Sequence, residues 1–155
     1  DATAPNRIVA EALQHAHIPE LAGYDSVRPE QTYGNRSRID FLLTSDGRPD
    51  TYVEVKNVHL RRTEDWAEFP DSITARGAKH LDELGKVVQA GGRAVMLYLI
   101  QRTDCMRFCL ARDLDPTYAV AFERAQAAGV EMLCYGTAIS PEEIKVTKSI
   151  PMVHG

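Results

Sequence analysis

The sequence predicts an α/β fold in which a mixed β-sheet carries helices on both faces. Residues 36–56 contain two runs of alternating apolar and polar residues around a polar, glycine-containing segment, which is typical of a β-hairpin. Residues 94–100 form a continuous apolar run, which is typical of a central strand buried on both faces. Apolar residues at helical spacing before, between and after these strands predict three helices.

The N-terminal residues predict a helix followed by an edge strand. The helix is expected to start near Thr3 and to end no later than Pro19, with apolar residues between them at helical spacing. Residues 24–33 are polar and contain Pro29, which fits an extended segment or an edge strand better than a central strand. A turn at Gly34 is expected to lead into the hairpin.

A second helix is expected between the hairpin and the apolar run. Asp71 is its predicted N-cap, and Gly91 is predicted to end it. Residues at helical spacing are predicted to form its buried side, and these are Ile73, Gly77, Leu81, Leu84 and Val88. The charged sequence before this helix, residues 61–68, is expected to be a loop around Trp66.

The C-terminal half is expected to alternate strands with a third helix. The strand at residues 94–100 follows a helical crossover, so it is expected to be parallel to its partner. Asp115 precedes the third helix, and Gly129 ends it. Residues 130–135 predict another strand, and residues 144–150 predict a short edge strand.

The hairpin also carries charged residues on one face. If its turn is centred on Gly47, Asp40 and Glu54 are equidistant from the turn and face each other, with Cβ atoms about 5 Å apart. Lys56 lies two residues beyond Glu54 and points to the same face. Two ionised carboxylates at this short distance repel each other, and a divalent cation bound between them removes this electrostatic cost. Oxygen ligands suit Mg²⁺ or Mn²⁺, so the pattern indicates a metal site at which Lys56 orients or helps to deprotonate a water in phosphodiester hydrolysis.

The same residues also fit a solvated cluster of cross-strand charges that holds no metal. Glu-x-Lys occurs on strands by chance, and the chain has a second copy at Glu143, Ile144 and Lys145. No aspartate-bearing hairpin strand precedes that copy. Spacing alone therefore leaves both interpretations open.

The arrangement resembles the PD-(D/E)xK nuclease superfamily, with Asp40 in the first motif position and Glu54, Val55 and Lys56 as the E-x-K motif. More specifically, the chain resembles the C-terminal domain of the sugar fermentation stimulation protein A (SfsA) family. The matching segments follow in order along nearly the whole chain: 33–34 (YG), 37–41 (SRIDF), 52–58 (YVEVKNV), 69–71 (FPD), 76–77 (RG), 79–81 (KHL), 129–131 (GVE) and 150–151 (IP).

This resemblance implies a restriction-endonuclease-like fold and a nuclease that uses Mg²⁺ or Mn²⁺ to cleave DNA or RNA. It implies one PD-(D/E)xK nuclease-like domain over residues 1–155, with the family's N-terminal OB-like domain outside this chain. Relatives with this fold often form dimers that cut two strands, so the resemblance leaves open whether this chain forms a homodimer. The alternative is a non-catalytic DNA-binding regulator of sugar (maltose) metabolism that retains the nuclease fold.

The resemblance also implies which residues carry the activity. The expected catalytic residues are Asp40, Glu54 and Lys56. A further carboxylate would complete the metal site, with Glu11 on the first helix and Glu30 on the edge strand as alternatives. The expected phosphate-binding cations are Arg38, Arg76 and Lys79. His80 falls on the apolar side of the second helix and is expected to be a core histidine, although the family's Lys79-His80 pair leaves a site role open.

Composition restricts the class of protein. The 155 residues are 44% hydrophobic and 26% charged, which fits one globular domain. No apolar run approaches the roughly 18 residues of a membrane span. Three cysteines in or near apolar stretches are typical of reduced thiols in a cytoplasmic protein. A net charge of −4 argues against bulk electrostatic coating of nucleic acid, so any binding is expected from a local cationic patch.

Overall fold

The structure is a computed structural model that describes residues 4–34 and 36–153. The described residues form three α-helices, α1 (Ala4–Gln14), α2 (Ala75–Gln89) and α3 (Pro116–Ala128). They also form nine strands: β1 (Ser26–Tyr33), β2 (Ser37–Thr44), β3 (Thr51–Val58), β4 (Leu60–Arg61), β5 (Trp66–Phe69), β6 (Arg93–Ile100), β7 (Arg107–Leu110), β8 (Glu131–Ile139) and β9 (Ile144–Ser149). None of the described helices is long and apolar enough to cross a membrane.

Six of these strands form a mixed sheet in the order β1-β2-β3-β6-β8-β9. Neighbouring strands are antiparallel from β1 to β3, parallel from β3 through β6 to β8, and antiparallel again between β8 and β9. Helix α2 connects β3 to β6, and α3 connects β6 to β8, as parallel neighbours require. The edge positions of β1 and β9 agree with the sequence expectation for polar, proline-containing or short strands.

Apolar side chains cover both faces of this sheet. On one face, Val9 of α1 packs in a cluster with Phe41 and Leu97. On the other face, Leu81 of α2 and Phe122 of α3 pack in a cluster with the sheet. Every residue at positions 94–100 of β6 is fully buried, because this central strand has helices on both sides. The predicted fold class, a mixed sheet with helices on both faces, is confirmed.

A second sheet includes both ends of residues 61–68, where a loop was expected. Strand β5 lies between β4 and β7, antiparallel to the first and parallel to the second. Ala67 of β5 is fully buried in the core, which accounts for strand formation in a sequence that is otherwise charged. The Trp66 ring is covered by Arg107, whose Cζ lies 4.1 Å from the ring centroid. The loop prediction was therefore wrong for residues 61 and 66–68, and it is correct for residues 62–65 between β4 and β5.

Helix α2 begins later than the sequence suggested. Its N-cap is Thr74, whose hydroxyl accepts a hydrogen bond from the Gly77 N–H at 2.9 Å. The Asp71 carboxylate instead accepts a hydrogen bond from its neighbour Ser72 at 3.3 Å, so the Asp71 cap prediction was wrong. Ile73 precedes the cap and its side chain is 79% exposed, so its predicted place on the buried side of α2 was also wrong.

Helix α3 has the predicted boundaries and is tied to the start of α2. The buried carboxylate of Asp115 accepts hydrogen bonds from the Tyr118 N–H at 3.0 Å and from the Thr74 N–H at 2.8 Å. Gly129 ends the helix with a φ of 107°, a conformation that favours glycine. Asp115 thereby fixes the first turn of α2 against α3.

Candidate active site

The hairpin of β2 and β3 places Asp40 beside Glu54. Main-chain pairing runs from Leu43–Thr51 to Phe41–Val53, and Asp40 and Glu54 are the next positions in this register. It is the register expected for a turn centred on Gly47. At this point Asp40 Oδ2 accepts a hydrogen bond from the Val55 N–H at 2.7 Å. The carboxylate of Asp40 is therefore held between the two strands, next to Glu54.

The surroundings of Asp40 favour its protonated form. Burial, followed by a hydrogen bond to Glu54 and the charge of Glu54, raises the pKa of Asp40 to about 7. The hydrogen bonds from the Val55 N–H and from Asn6 act in the opposite direction but do not outweigh these effects. Asn6, in the first turn of α1, donates from Nδ2 to Asp40 Oδ1 at 2.9 Å. Without a cation, a substantial fraction of Asp40 is therefore protonated near neutral pH.

Lys56 and His80 complete a compact group around Glu54. The Lys56 Nζ lies 3.9 Å from Glu54 Oε2, and His80 Nδ1 lies 2.9 Å from the same oxygen. His80 Nδ1 is also 3.1 Å from the Lys56 Nζ. Burial, followed by the charges of Lys56 and Arg76, lowers the pKa of His80 to about 4, so its imidazole is neutral at physiological pH. A single Nδ1 either donates to Glu54 or accepts from Lys56, depending on the tautomer.

These residues line a cavity of about 800 Å³ between β2, β3 and α2. The predicted phosphate-binding residues Arg38, Arg76 and Lys79 also line this cavity. Arg38 makes an ion pair with Glu30 at 3.2 Å, and both side chains are mostly exposed. The structure thus brings the predicted acids, lysine and cations to one cavity.

The two alternatives for a further carboxylate have different positions. Glu30 lies at the cavity, where its charge is met by Arg38. Glu11 is exposed on α1 and does not line the cavity. The residue of α1 that contacts the acidic pair is Asn6, one helical turn before the buried Val9. The structure therefore does not bring Glu11 to the site.

The sequence did not indicate Asn6 as a residue of this site, and it left the role of His80 open. His80 was expected to be a core histidine, but it is only half-buried and faces the cavity. Its position four residues after Arg76 places both on one side of α2, which together with the Lys79-His80 pair was an available signal. Asn6 carried no signal, because its role depends on how α1 docks against β2.

The pair of carboxylates suits a hard divalent cation. A cation next to Asp40 and Glu54 would replace the proton on Asp40 and offset the repulsion between the two carboxylates. Among residues 4–34 and 36–153, no three His, Cys, Asp or Glu side chains are arranged to hold a metal ion together. An ion at this pair would therefore complete its coordination with water and substrate oxygens, as Mg²⁺ commonly does.

Comparison with known proteins identifies relatives of the whole chain. Residues 3–143 match the family model described as "Sugar fermentation stimulation protein RE domain". The chain is 62% identical over 152 residues to a sugar fermentation stimulation protein homolog of Dinoroseobacter shibae. It is 63% identical over 153 residues to the homolog of a Jannaschia species. Each alignment covers 98% of this chain.

A solved structure has the same fold. The structure titled "The structure of Pyrococcus Furiosus SfsA in complex with Ca2+" matches with a TM-score of 0.88 and 27% sequence identity, over 99% of this chain. This chain spans 65% of that protein. It likewise spans 62% of the Dinoroseobacter protein and 64% of the Jannaschia protein.

Proposed function

The chain belongs to the sugar fermentation stimulation protein family, and from this premise we propose that it hydrolyses phosphodiester bonds of DNA or RNA with the help of Mg²⁺ or Mn²⁺. The observation that carries this proposal is the contact of Asp40 with Glu54 beside Lys56. Two carboxylates and an ammonium at one cavity can bind a hard cation and a phosphate oxygen at the same time.

Holding the two carboxylates together costs free energy unless the pair binds a cation. Glu54 is only 6% exposed, so its charge is held largely away from water. The Asn6 amide and the Val55 N–H fix both oxygens of the Asp40 carboxylate. Carboxylates that bind metal ions are typically held in place by hydrogen bonds of this kind. The solved structure of Pyrococcus furiosus SfsA, a complex with Ca²⁺, supports a divalent cation at this site.

The residues around the pair have distinct proposed roles. Mg²⁺ or Mn²⁺ would polarise the phosphate and lower the pKa of an attacking water. Lys56 orients that water or stabilises the charge that develops on the phosphate. His80 is neutral, so it can hold the Lys56 ammonium in place without a competing charge. Arg76 and Lys79 bind the phosphates next to the reacting group.

Nucleic acid is the proposed substrate because cations surround this cavity in a chain that is acidic overall. The net charge is −4, but the cavity is lined by Arg36, Arg38, Lys56, Arg76 and Lys79. Binding would therefore depend on these local charges and weaken with salt.

The test is cleavage of labelled single- and double-stranded DNA and RNA with Mg²⁺, Mn²⁺ or a chelator. Asp40→Asn and Lys56→Ala are expected to lower the cleavage rate at least about 100-fold, because each removes a group at the reaction centre. Lys145→Ala alters the second Glu-x-Lys copy, whose lysine forms an ion pair with Glu143 at 3.1 Å, and it is expected to leave cleavage unchanged. Cleavage that survives both Asp40→Asn and Lys56→Ala would reject the assignment.

The second candidate function is DNA binding without cleavage, as in a regulator of sugar metabolism. The observation that favours it is that the Glu54 charge already has partners, with His80 at 2.9 Å and Lys56 at 3.9 Å. This candidate expects binding that persists in a chelator and no cleavage with any cation. The same assay therefore separates the two functions.

A further inference from the structure

A second cavity of about 680 Å³ lies beside the candidate active site, between α2 and the ends of the first strands. It shares Ser37, Lys79 and Glu83 with the active-site cavity. The two cavities are therefore parts of one groove. We call the part beyond Lys79 the tyrosine groove, after Tyr33 and Tyr52, which line it.

Two aromatic rings form one wall of the tyrosine groove. The Tyr33 and Tyr52 ring centroids are 5.2 Å apart, with the rings tilted by 56°. Both rings pack against the hydrophobic core on one side and line the cavity on the other. Burial, and then the nearby Glu83 carboxylate, raises the pKa of Tyr33, so its hydroxyl stays protonated at neutral pH. Rings held in place by packing are suitable platforms for stacking bases.

Helix α2 supplies cations to the tyrosine groove. Lys79 and Lys86 both line the tyrosine groove, and the mostly exposed Lys79 forms a loose ion pair with Glu83 at 3.8 Å. They are seven residues apart, which is about 10 Å along a helix axis and about the length of three stacked nucleotides. Lys86 is exposed and makes no ion pair with the residues that the structure describes. In contrast, Arg62 and Arg93, outside the groove, are neutralised by carboxylates at 2.6 Å.

The groove has room and polar groups for a base. Added Cβ atoms at Gly34 and Gly91, which line it, would meet nothing within 4 Å, so the space beside them is open. Its volume lies in the range of about 300–1,000 Å³ that is common for small-molecule sites. The exposed Asp50 carboxylate can accept a hydrogen bond from the amino group of a base.

We propose that the tyrosine groove binds unpaired bases of a nucleic-acid strand whose neighbouring phosphate lies at Asp40 and Glu54. Bases inside a duplex are covered by their neighbours, whereas an unpaired base offers a face to Tyr33 and Tyr52. The position of the phosphate rests on the proposed function, but the binding of bases does not. The preferred ligand is therefore single-stranded rather than double-stranded.

The test is binding in a chelator, where metal-dependent cleavage cannot occur. Fluorescence anisotropy would give the Kd of a labelled single strand of about 12 nucleotides and of the matching duplex. Tyr33→Leu is expected to weaken single-strand binding by about 5- to 100-fold through lost stacking, while Tyr33→Phe keeps the ring and the affinity. Lys86→Gln is expected to reduce the salt slope of binding by about one. Lys148→Gln, on β9 at the opposite edge of the sheet, is the matched control and should bind as the wild type does.

Several outcomes would overturn the inference. They are unchanged single-strand affinity in both Tyr33→Leu and Lys86→Gln, equal or tighter binding of the duplex, or competition by free thymidine monophosphate as strong as that by the strand. Lys86→Gln keeps the test valid if urea denaturation shows that Tyr33→Leu is unfolded, since Lys86 is exposed. If the wild type does not cleave but Tyr33→Leu loses binding, the tyrosine groove stands and the nuclease proposal fails.

Discussion

The Lys56 Nζ lies 3.1 Å from His80 Nδ1, and this contact joins strand β3 to helix α2 at the candidate active site. Because burial and nearby cations lower the pKa of His80 to about 4, the imidazole is neutral when Lys56 is charged. A neutral acceptor can orient an ammonium without repelling it. We therefore propose that His80, in the tautomer whose Nδ1 accepts from Lys56, is a positioning residue for that lysine.

His80→Ala is expected to lower kcat by about 10- to 100-fold, because Lys56 loses the partner that orients it. The Kd for an oligonucleotide in a chelator should change by less than about threefold, since phosphate binding depends on other cations. His80→Asn retains an acceptor and should recover part of kcat. Between pH 6 and 9, His80→Asn should leave the shape of the pH–rate profile unchanged, because His80 titrates near pH 4. If the pH–rate profile of His80→Asn lacks one of the two limbs of the wild-type profile, the positioning role is contradicted.

Asp40 makes the stability of the metal-free protein depend on pH. Its pKa is raised from 3.8 to about 7, so the folded chain binds the proton more tightly than the unfolded chain. The resulting stabilisation is fully present below pH 3.8 and is lost as the pH rises through about 7. The contribution of Asp40 to the free energy of unfolding should therefore fall by about 2 to 4 kcal/mol over this interval. Urea denaturation of chelated protein at several pH values measures it.

Asp40→Asn should remove this decrease and be more stable than the wild type above pH 7, because an amide does not ionise. Its carbonyl can accept from the Val55 N–H, and the Asn6 amide can rotate to accept from the new NH₂ group. Mn²⁺ should stabilise the wild type at neutral pH but not Asp40→Asn. Asp46→Asn, in the exposed turn of the hairpin, is the control. A wild type whose stability does not decrease relative to Asp40→Asn would show that the carboxylates are not coupled.

The contribution of α1 should come from Asn6 and not from Glu11. Asn6→Ala removes the hydrogen bond to Asp40 Oδ1 and is expected to weaken Mn²⁺ affinity and lower kcat by about 10-fold. Glu11→Gln changes an exposed side chain outside the cavity and should alter neither quantity. Calorimetric titration with Mn²⁺ and single-turnover cleavage measure the two effects. The opposite ranking of these variants would mean that Glu11 reaches the metal.

The start of α2 can be tested through its cap. Thr74→Ala removes the hydroxyl that accepts from the Gly77 N–H and is expected to cost about 1 kcal/mol of unfolding free energy. Asp71→Ala should stay within about 0.5 kcal/mol, because Asp71 is exposed and lies outside the helix. Urea denaturation of both variants gives the comparison. A larger loss of unfolding free energy in Asp71→Ala than in Thr74→Ala would show that Asp71 is the N-cap, as the sequence suggested.

Much of the fold could be predicted because local patterns decide it. The alternation in the hairpin, the apolar run at residues 94–100 and the Asp115 cap are each readable within a few residues. The second sheet could not be predicted, since β5 forms through pairing with β7, some 40 residues later in the chain. The start of α2 was missed because both Asp71 and Thr74 are good caps, and the choice depends on Asp115 fixing the Thr74 N–H.

The site was predictable to the extent that hairpin geometry determines it. The register that places Asp40 beside Glu54 follows from the turn at Gly47, and Lys56 follows from strand alternation. His80 and Asn6 reach the site only through the docking of α2 and α1 on the sheet. Helical spacing indicated that His80 and Arg76 share one side of α2 but not that this side faces Lys56, and no pattern placed Asn6 at Asp40.

The most direct test of the account is the anomalous difference density of crystals soaked in Mn²⁺ at neutral pH. We predict a peak between the carboxylates of Asp40 and Glu54, within about 2.0–2.3 Å of an oxygen of each, and no such peak in Asp40→Asn crystals. A well-diffracting wild-type crystal with no peak there, or with Mn²⁺ bound only elsewhere, would contradict the claim that these two acids form a metal site.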